Sequence, residues 1–444
     1  MAVQIKGVGG GGATKVLNGV LEQYYAYSDT INAVSFVEFL TDSVVSAQCT
    51  GTDSSGYNYC RGCVLSDNKV LMCSWNSSSN NIYLVVATFD NSSISFGTVC
   101  TAEHTSYAYD IEVQKLSDTT ALLGYSTGSN GYYRMYVVTI NNTTITVGAR
   151  YVTEGYIFDY NFYGEPTRIC VLNSTKALIT YIRNSSTSSY DGICYTCAIV
   201  CTISGTTITF GTELVISSKD SYSTYDQYRS AQYNALVSST QVLSCMDFYD
   251  GNNFKKYFHL FSISGTTVTI TSSITNTTTI SVSTIGNIFK KITAAKFLLI
   301  YFKANEAPYA RIITLSGTTI SIGDETAIKY NWTSNTQIAL LIYDTTTAYL
   351  YTCYGSGGRI NRTPIYISGT TITSGDAVAV GDTKLDRPYF AARAGDLEIV
   401  TGRELMSIML LRTGTYLKSS ESKIDGLLVS KATSNSKGKV YKLG

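Results

Sequence analysis

The chain has 444 residues, a formal net charge of +1, and only 15% charged residues. So charge-poor a composition excludes a protein that holds nucleic acid through a basic face. With four prolines, 36 tyrosines and abundant Thr, Val and Ile, it describes a mostly β chain. The longest apolar runs, such as KFLLIYF at 296–302, are far short of the roughly 20 residues a membrane span needs. The start, MAVQIKG, lacks the apolar segment of a secretory signal, so the expectation is a protein made in a cytoplasm and not inserted in a membrane.

In chain order, residues 1–45 come first: a glycine-rich arm and then a strand pattern, TINAVSFVEFL, at 30–40. Gly7, Gly9 and Gly12 fall in GxGxxG spacing, but no convincing strand precedes them and no acidic residue follows where a βαβ unit would place one. Dinucleotide binding is therefore set aside.

From 46 to 419 one string keeps returning: TFDNSSISFGT at 88–98, TINNTTITVGA at 139–149, TISGTTITFGT at 202–212, SISGTTVTI at 262–270, TLSGTTISIGD at 314–324 and YISGTTITSGD at 366–376. Each reads as a hairpin between a long apolar strand and a short Thr-rich one. The tight turn is expected at Ser204–Gly205 and its equivalents, because Gly, Asn and Asp tolerate positive φ. That register places Cys201 opposite Ile208, and His259 opposite Ile270. A seventh, degenerate copy is expected at 410–419, LLRTGTYLKS, with its turn at Thr413–Gly414.

Residues 94, 145, 208, 268, 320, 372 and 417 are then equivalent, at spacings of 45 to 63. Two further strands precede each hairpin: 60–65 with 69–75, 110–116 with 120–126, 167–172 with 176–183, 233–238 with 241–249, 287–293 with 296–302, 337–343 with 348–354, and 387–392 with 397–403. Four strands in each of seven units predict an all-β, seven-bladed β-propeller of four-stranded blades. Inner strands, covered on both faces by neighbouring blades, are apolar on both faces. The outer strand alternates with threonine.

The hairpin turns should crowd one end of the disc and the long loops the other. The loops at 151–165 and 217–230 are rich in Tyr with acidic residues between, and a third loop lies at 183–192. Tyr156, Asp159, Tyr160, Tyr163, Tyr222, Tyr225, Asp226 and Tyr228 form the candidate ligand face. Planar rings and carboxylate acceptors suit a sugar or a protein surface; the alternative is that they pack their own loops.

Catalytic chemistry is sparse. The two histidines, His104 and His259, form no metal set. The Ser-x-Asp-x-Gly-x-Thr-Trp motif of sialidases is absent, and Glu154 with Asp159 is the nearest approach to a glycosidase carboxylate pair. Of 11 cysteines, Cys60 and Cys63 (CRGC) and Cys194, Cys197 and Cys201 (CYTCAIVC) cluster. Strand residues three apart face opposite ways, so buried small side chains outweigh a zinc site. No catalytic residue, metal or cofactor is expected, and the expectation is a non-enzyme.

Residues 420–444 lie beyond the repeat and offer two short strands around a polar turn. AVSFVEF and GLLVS with VYKL resemble the ends of small phage capsid decoration proteins, of head-cement or head-fibre type. The Ser/Thr/Gly/Asn-rich hairpins are also similar in style to phage virion proteins. The resemblance implies a small β anchor module made by both termini, with Phe36, Val37, Phe39, Leu427, Val429, Val440 and Tyr441 holding the capsid. It implies a virion structural protein made in a bacterial cytoplasm. Its partners would be the major capsid protein or other virion proteins in a multi-copy assembly, and cell-surface carbohydrate. The alternatives are a tail-associated receptor-binding adhesin and a propeller glycan hydrolase. Residues 403–444 carry eight Lys/Arg against three acids, a balance that suits an acidic capsid or is a solvated tail.

Overall fold

The computed structural model describes residues 4–5, 15–16, 21–24, 35–49, 57–90, 93–106, 108–127, 132–153, 168–184, 194–219, 232–249, 254–280, 287–302, 307–329, 338–353, 359–384, 388–395, 397–402, 408–419, 426–428 and 438–442. Apart from a separate two-stranded pair, Gln4–Ile5 with Lys15–Val16, they form a ring of seven antiparallel sheets, a seven-bladed β-propeller, with no helix among the described residues. Blade 1 runs outward from the channel as Tyr57–Ser66, Lys69–Asn76, Asn81–Phe89 and Ile94–Phe96. Blades 2 to 6 repeat this order from Tyr109, Ile169, Gln232, Ile288 and Ile338.

The burial pattern explains the composition. Second strands such as Thr120–Ser126 and Lys296–Phe302 are buried at every position after the first, because a blade lies against each face. Outer strands alternate: in Thr144–Val147 the threonines are exposed and Ile145 is buried. The core is seven apolar clusters, one between each pair of neighbouring blades. Among them, the cluster of Cys60, Met72, Ile399 and Leu410 closes the ring between blades 7 and 1.

The first six hairpins form where the repeat predicts, with one difference. Ser204 pairs with Thr207 and Ile203 with Ile208, so the turn residues are Gly205 and Thr206. The first turn position demands positive φ, and Gly205, Gly265, Gly317 and Gly369 supply it at 59–63°. The pairing moves by two residues, so every side chain keeps its expected face. A bulge between Leu260 and Phe261 also sets His259 opposite Ser273, not Ile270.

A second glycine of the repeat ends the outer strand. A Cβ on Gly97 would lie 2.6 Å from the Thr143 side chain, and one on Gly211 would lie 2.4 Å from the Thr266 carbonyl. Each threonine belongs to the next blade's turn, so the glycine permits the close approach of blade to hairpin. Blade 4 carries Thr271 in place of that glycine, and its outer strand runs on unbroken, with two register shifts in its pairing, as Thr267–Ile280.

The seventh hairpin does not form. Residues Ile408–Ser419 make one strand with a bulge between Arg412 and Thr415, which absorbs Thr413 and Gly414. Its outer partner is Ser35–Ala47, from the other end of the chain. The boundary expected at residue 46 thus falls inside a strand of blade 7, and the two ends of the sequence close the ring together. The same sheet continues outward through Gly426–Leu428, Gly438–Lys442 and Leu21–Tyr24, so the termini do pair with each other.

Candidate functional site

In a propeller the innermost strand has an unpaired edge that faces the central channel, and its backbone groups need partners there. Five of these strands also carry a bulge just before the turn, at Leu65, Leu116, Leu172, Val237 and Ile292, which removes a carbonyl from the ladder. Cationic side chains meet this need. Lys115 Nζ donates to the carbonyl of Leu65 in the preceding blade, and Lys291 Nζ donates 3.3 Å to that of Val237. The two contacts are equivalent positions of the repeat. Lys290 Nζ reaches the carbonyls of Leu340 at 2.5 Å and Ala391 at 3.3 Å, and Arg61 Nη1 that of Tyr389 at 2.5 Å.

These strands line a cavity of about 520 Å³ to which six of the seven blades contribute. Among the described residues its wall holds five cations, Arg61, Lys115, Lys290, Lys291 and Arg393, and one carboxyl, Glu112. Lys291 and Arg393 are exposed toward the hairpin-turn end, Lys290 is half-buried, and Arg61 is buried. Arg393 rests on the Tyr343 ring with its guanidinium 4.5 Å from the centroid. Lys115 also meets Asp118 at 2.7 Å, near the turn.

Glu112 is almost fully buried. It accepts hydrogen bonds from Tyr133 Oη (2.7 Å), the Ile169 amide (3.0 Å) and Gln114 Nε2 (3.4 Å). Burial pushes its pKa up to about 7, and the hydrogen bonds, with more distant Arg168, only partly oppose this. A carboxyl poised near neutrality at the wall of a cationic cavity can exchange a proton there.

A second set of charged groups is structural. Tyr125, Tyr136, Arg134 and Arg150 all donate to Glu103; Tyr181 and Arg183 donate to Glu213; Tyr301 and Arg311 to Glu325; and Tyr351 and Arg362 to Glu398. Each carboxylate is occupied by at least one tyrosine and one arginine, which suits a cross-link rather than a reacting group. Sequence reading missed these sets, although Gly211-Thr212-Glu213 and Gly323-Asp324-Glu325 repeat one spacing after the outer strand.

Tyr156, Asp159, Tyr160, Tyr163, Tyr222, Tyr225, Asp226 and Tyr228 lie outside the described residues, as do Glu154 and Val429. Of the expected anchor positions, the backbone brings Phe36, Leu427 and Tyr441 into register on three adjacent strands. Val37 pairs with Gly426, Val440 with Leu428, and Phe39 with Leu417. Cys60 and Cys63 point to opposite faces, into the clusters on either side of blade 1, and burial pushes both thiols up to about 12. His104 Nδ1 lies 3.1 Å from the Asn81 amide oxygen. Burial holds the His259 imidazole down at about 4, beside Ser273 Oγ at 2.8 Å.

No protein family and no curated protein matches this sequence. Several solved structures share its fold. An ulvan lyase of polysaccharide lyase family PL25 is 8% identical over 90% of this chain and 98% of its own, with a TM-score of 0.48. An oligogalacturonate lyase is 10% identical over 86% and 98%, with a TM-score of 0.42. The N-terminal domain of Nup159 is 11% identical over 88% and 100%, with a TM-score of 0.41. At this identity the likeness is one of fold alone. The expectation of a non-enzyme is corrected by these findings: the structures of similar fold include a polysaccharide lyase and an oligogalacturonate lyase. Scarce histidine is no ground for excluding catalysis.

Proposed function

We propose that the chain is a virion structural protein of the capsid-decoration type, which attaches by its paired termini and displays a propeller that binds cell-surface carbohydrate. The observation that carries this reading is the outward continuation of blade 7 by Gly426–Leu428, Gly438–Lys442 and Leu21–Tyr24. A blade needs four strands; these three extend the sheet beyond the ring, and the reading takes them as the appendage that docks on another protein. The phage-like strand patterns of the same segments support it.

Co-sedimentation of the full chain and a 420–444 deletion with phage heads tests the attachment. The full chain is expected to bind heads and the deletion to lose binding; equal binding by both overturns it. Removal of 1–45 is not a clean test, because residues 35–45 also complete blade 7. A glycan array tests the display function, and an array without a single bound carbohydrate overturns that part.

A second reading, cleavage of an acidic glycan, is favoured by Glu112 held near neutrality beside the cationic cavity. Release of new chain ends from acidic polysaccharides, lost in Glu112→Gln, would establish it; no release from any of them would remove it.

A further inference from the structure

We infer that the central channel, entered from the hairpin-turn end, is a binding site for a small organic polyanion. This rests on, and narrows, the carbohydrate reading above: the chemistry recognised is a set of carboxylate, sulfate or phosphate oxyanions rather than neutral hydroxyls.

Three observations converge. First, the chain is nearly neutral overall, yet the cavity wall gathers five cations and one carboxyl. Chance scatter of 33 Lys/Arg and 32 Asp/Glu would mix the signs. Second, the cations come from blades 1, 2, 5 and 7 and are brought together only by ring closure. They are graded in depth, from exposed Lys291 and Arg393 through half-buried Lys290 to buried Arg61. Carbonyl oxygens on the strand edges accept hydrogen bonds from Arg61, Lys290 and Lys291 and so orient these side chains along the wall. A concave wall of one sign focuses its field into the cavity and draws in the opposite charge. Third, Glu112, the one carboxyl in the wall among the described residues, is disposed to be neutral. Burial raises the Glu112 pKa, so at neutral pH it cancels only part of the positive field.

The cavity's roughly 520 Å³ suits a compact oligomeric ligand such as a trisaccharide. Guanidinium and ammonium groups at several depths match an anion with several charged groups better than one with a single charge.

Isothermal titration of the full chain at low salt uses three probes: trigalacturonate, inorganic tripolyphosphate, and maltotriose as the neutral control. At least one anion is expected to bind and maltotriose is not. Lys291→Gln and Arg393→Gln should each weaken anion binding about tenfold, the loss of one close charge pair at an intermediate dielectric. Lys291→Arg should retain it. Lys329→Gln, which alters an exposed lysine paired with Asp376 away from the channel, should leave it unchanged. Added salt should weaken binding.

The inference is overturned if neither anion binds, if maltotriose binds equally well, or if Lys329→Gln costs as much as the channel substitutions. Trigalacturonate binding that is indifferent to the channel substitutions leaves the carbohydrate reading standing and removes the channel. Tripolyphosphate binding alone, lost in the channel variants, keeps the channel and removes the carbohydrate reading.

Discussion

Replacing Glu112 with Gln is expected to stabilise the protein at neutral pH and to do little in mild acid. The carboxyl is buried between blades 2 and 3, where it accepts hydrogen bonds from Tyr133 and the Ile169 amide. Its folded pKa of about 7 lies above the ordinary 4.5. Between those values the native state keeps a proton that the unfolded state has released, so stability falls as pH rises through the window and levels off above about 7. A gap of about 2.5 pH units corresponds to about 3 kcal/mol. Glutamine is isosteric with the protonated acid and its oxygen can still accept from Tyr133 and Ile169. Urea unfolding of both proteins at a series of pH values between about 5 and 8 measures the difference. Comparing the two curves is essential, because His259 titrates in the opposite sense over part of this range. The variant should gain on the wild type by about 2–3 kcal/mol across the series. A constant gap, or a variant that loses ground as pH rises, would refute the reasoning.

Three further outcomes test the packing and the electrostatics. Gly211→Val should cost more than about 2 kcal/mol, because its Cβ would meet the Thr266 carbonyl at 2.4 Å; Gly205→Ala, with open space but a φ of 59°, should cost only about 1 kcal/mol, both read from urea midpoints. Arg362→Met leaves the wholly buried Glu398 carboxylate without the arginine it meets at 2.8 Å and should cost about 3–5 kcal/mol; a loss below 1 kcal/mol would mean its remaining partners, Tyr351 among them, satisfy it. His259 should remain neutral at pH 6 in an NMR titration, and stability should fall as pH drops from 6.5 toward 4, where the unfolded chain takes up the proton first; a midpoint near 6.5 would contradict this.

The ring was legible because its repeat encodes faces. Thr-x-Thr against Ile-x-Ile survives a two-residue error in register, so placing the turn at Ser204–Gly205 instead of Gly205–Thr206 changed cross-strand partners but left each side chain on its expected face. The false seventh hairpin shows the limit of the same logic. Thr413–Gly414 has turn chemistry, but with Ser35–Ala47 available to pair, the segment stays extended and spends the glycine on a bulge. The channel could not be read at all. Arg61, Lys115, Lys290 and Arg393 stand in separate blades, each inconspicuous in its own strand, and only closure of the ring sets them around one space. The Tyr-rich loops, where sequence alone placed the ligand face, lie outside the described residues.

The most direct test is to image phage particles carrying an epitope-tagged copy of this chain. The account predicts label on the heads in many regularly spaced copies, abolished by deletion of 420–444. Label confined to the tail would favour the adhesin alternative, and a chain absent from purified particles would contradict the proposed role outright.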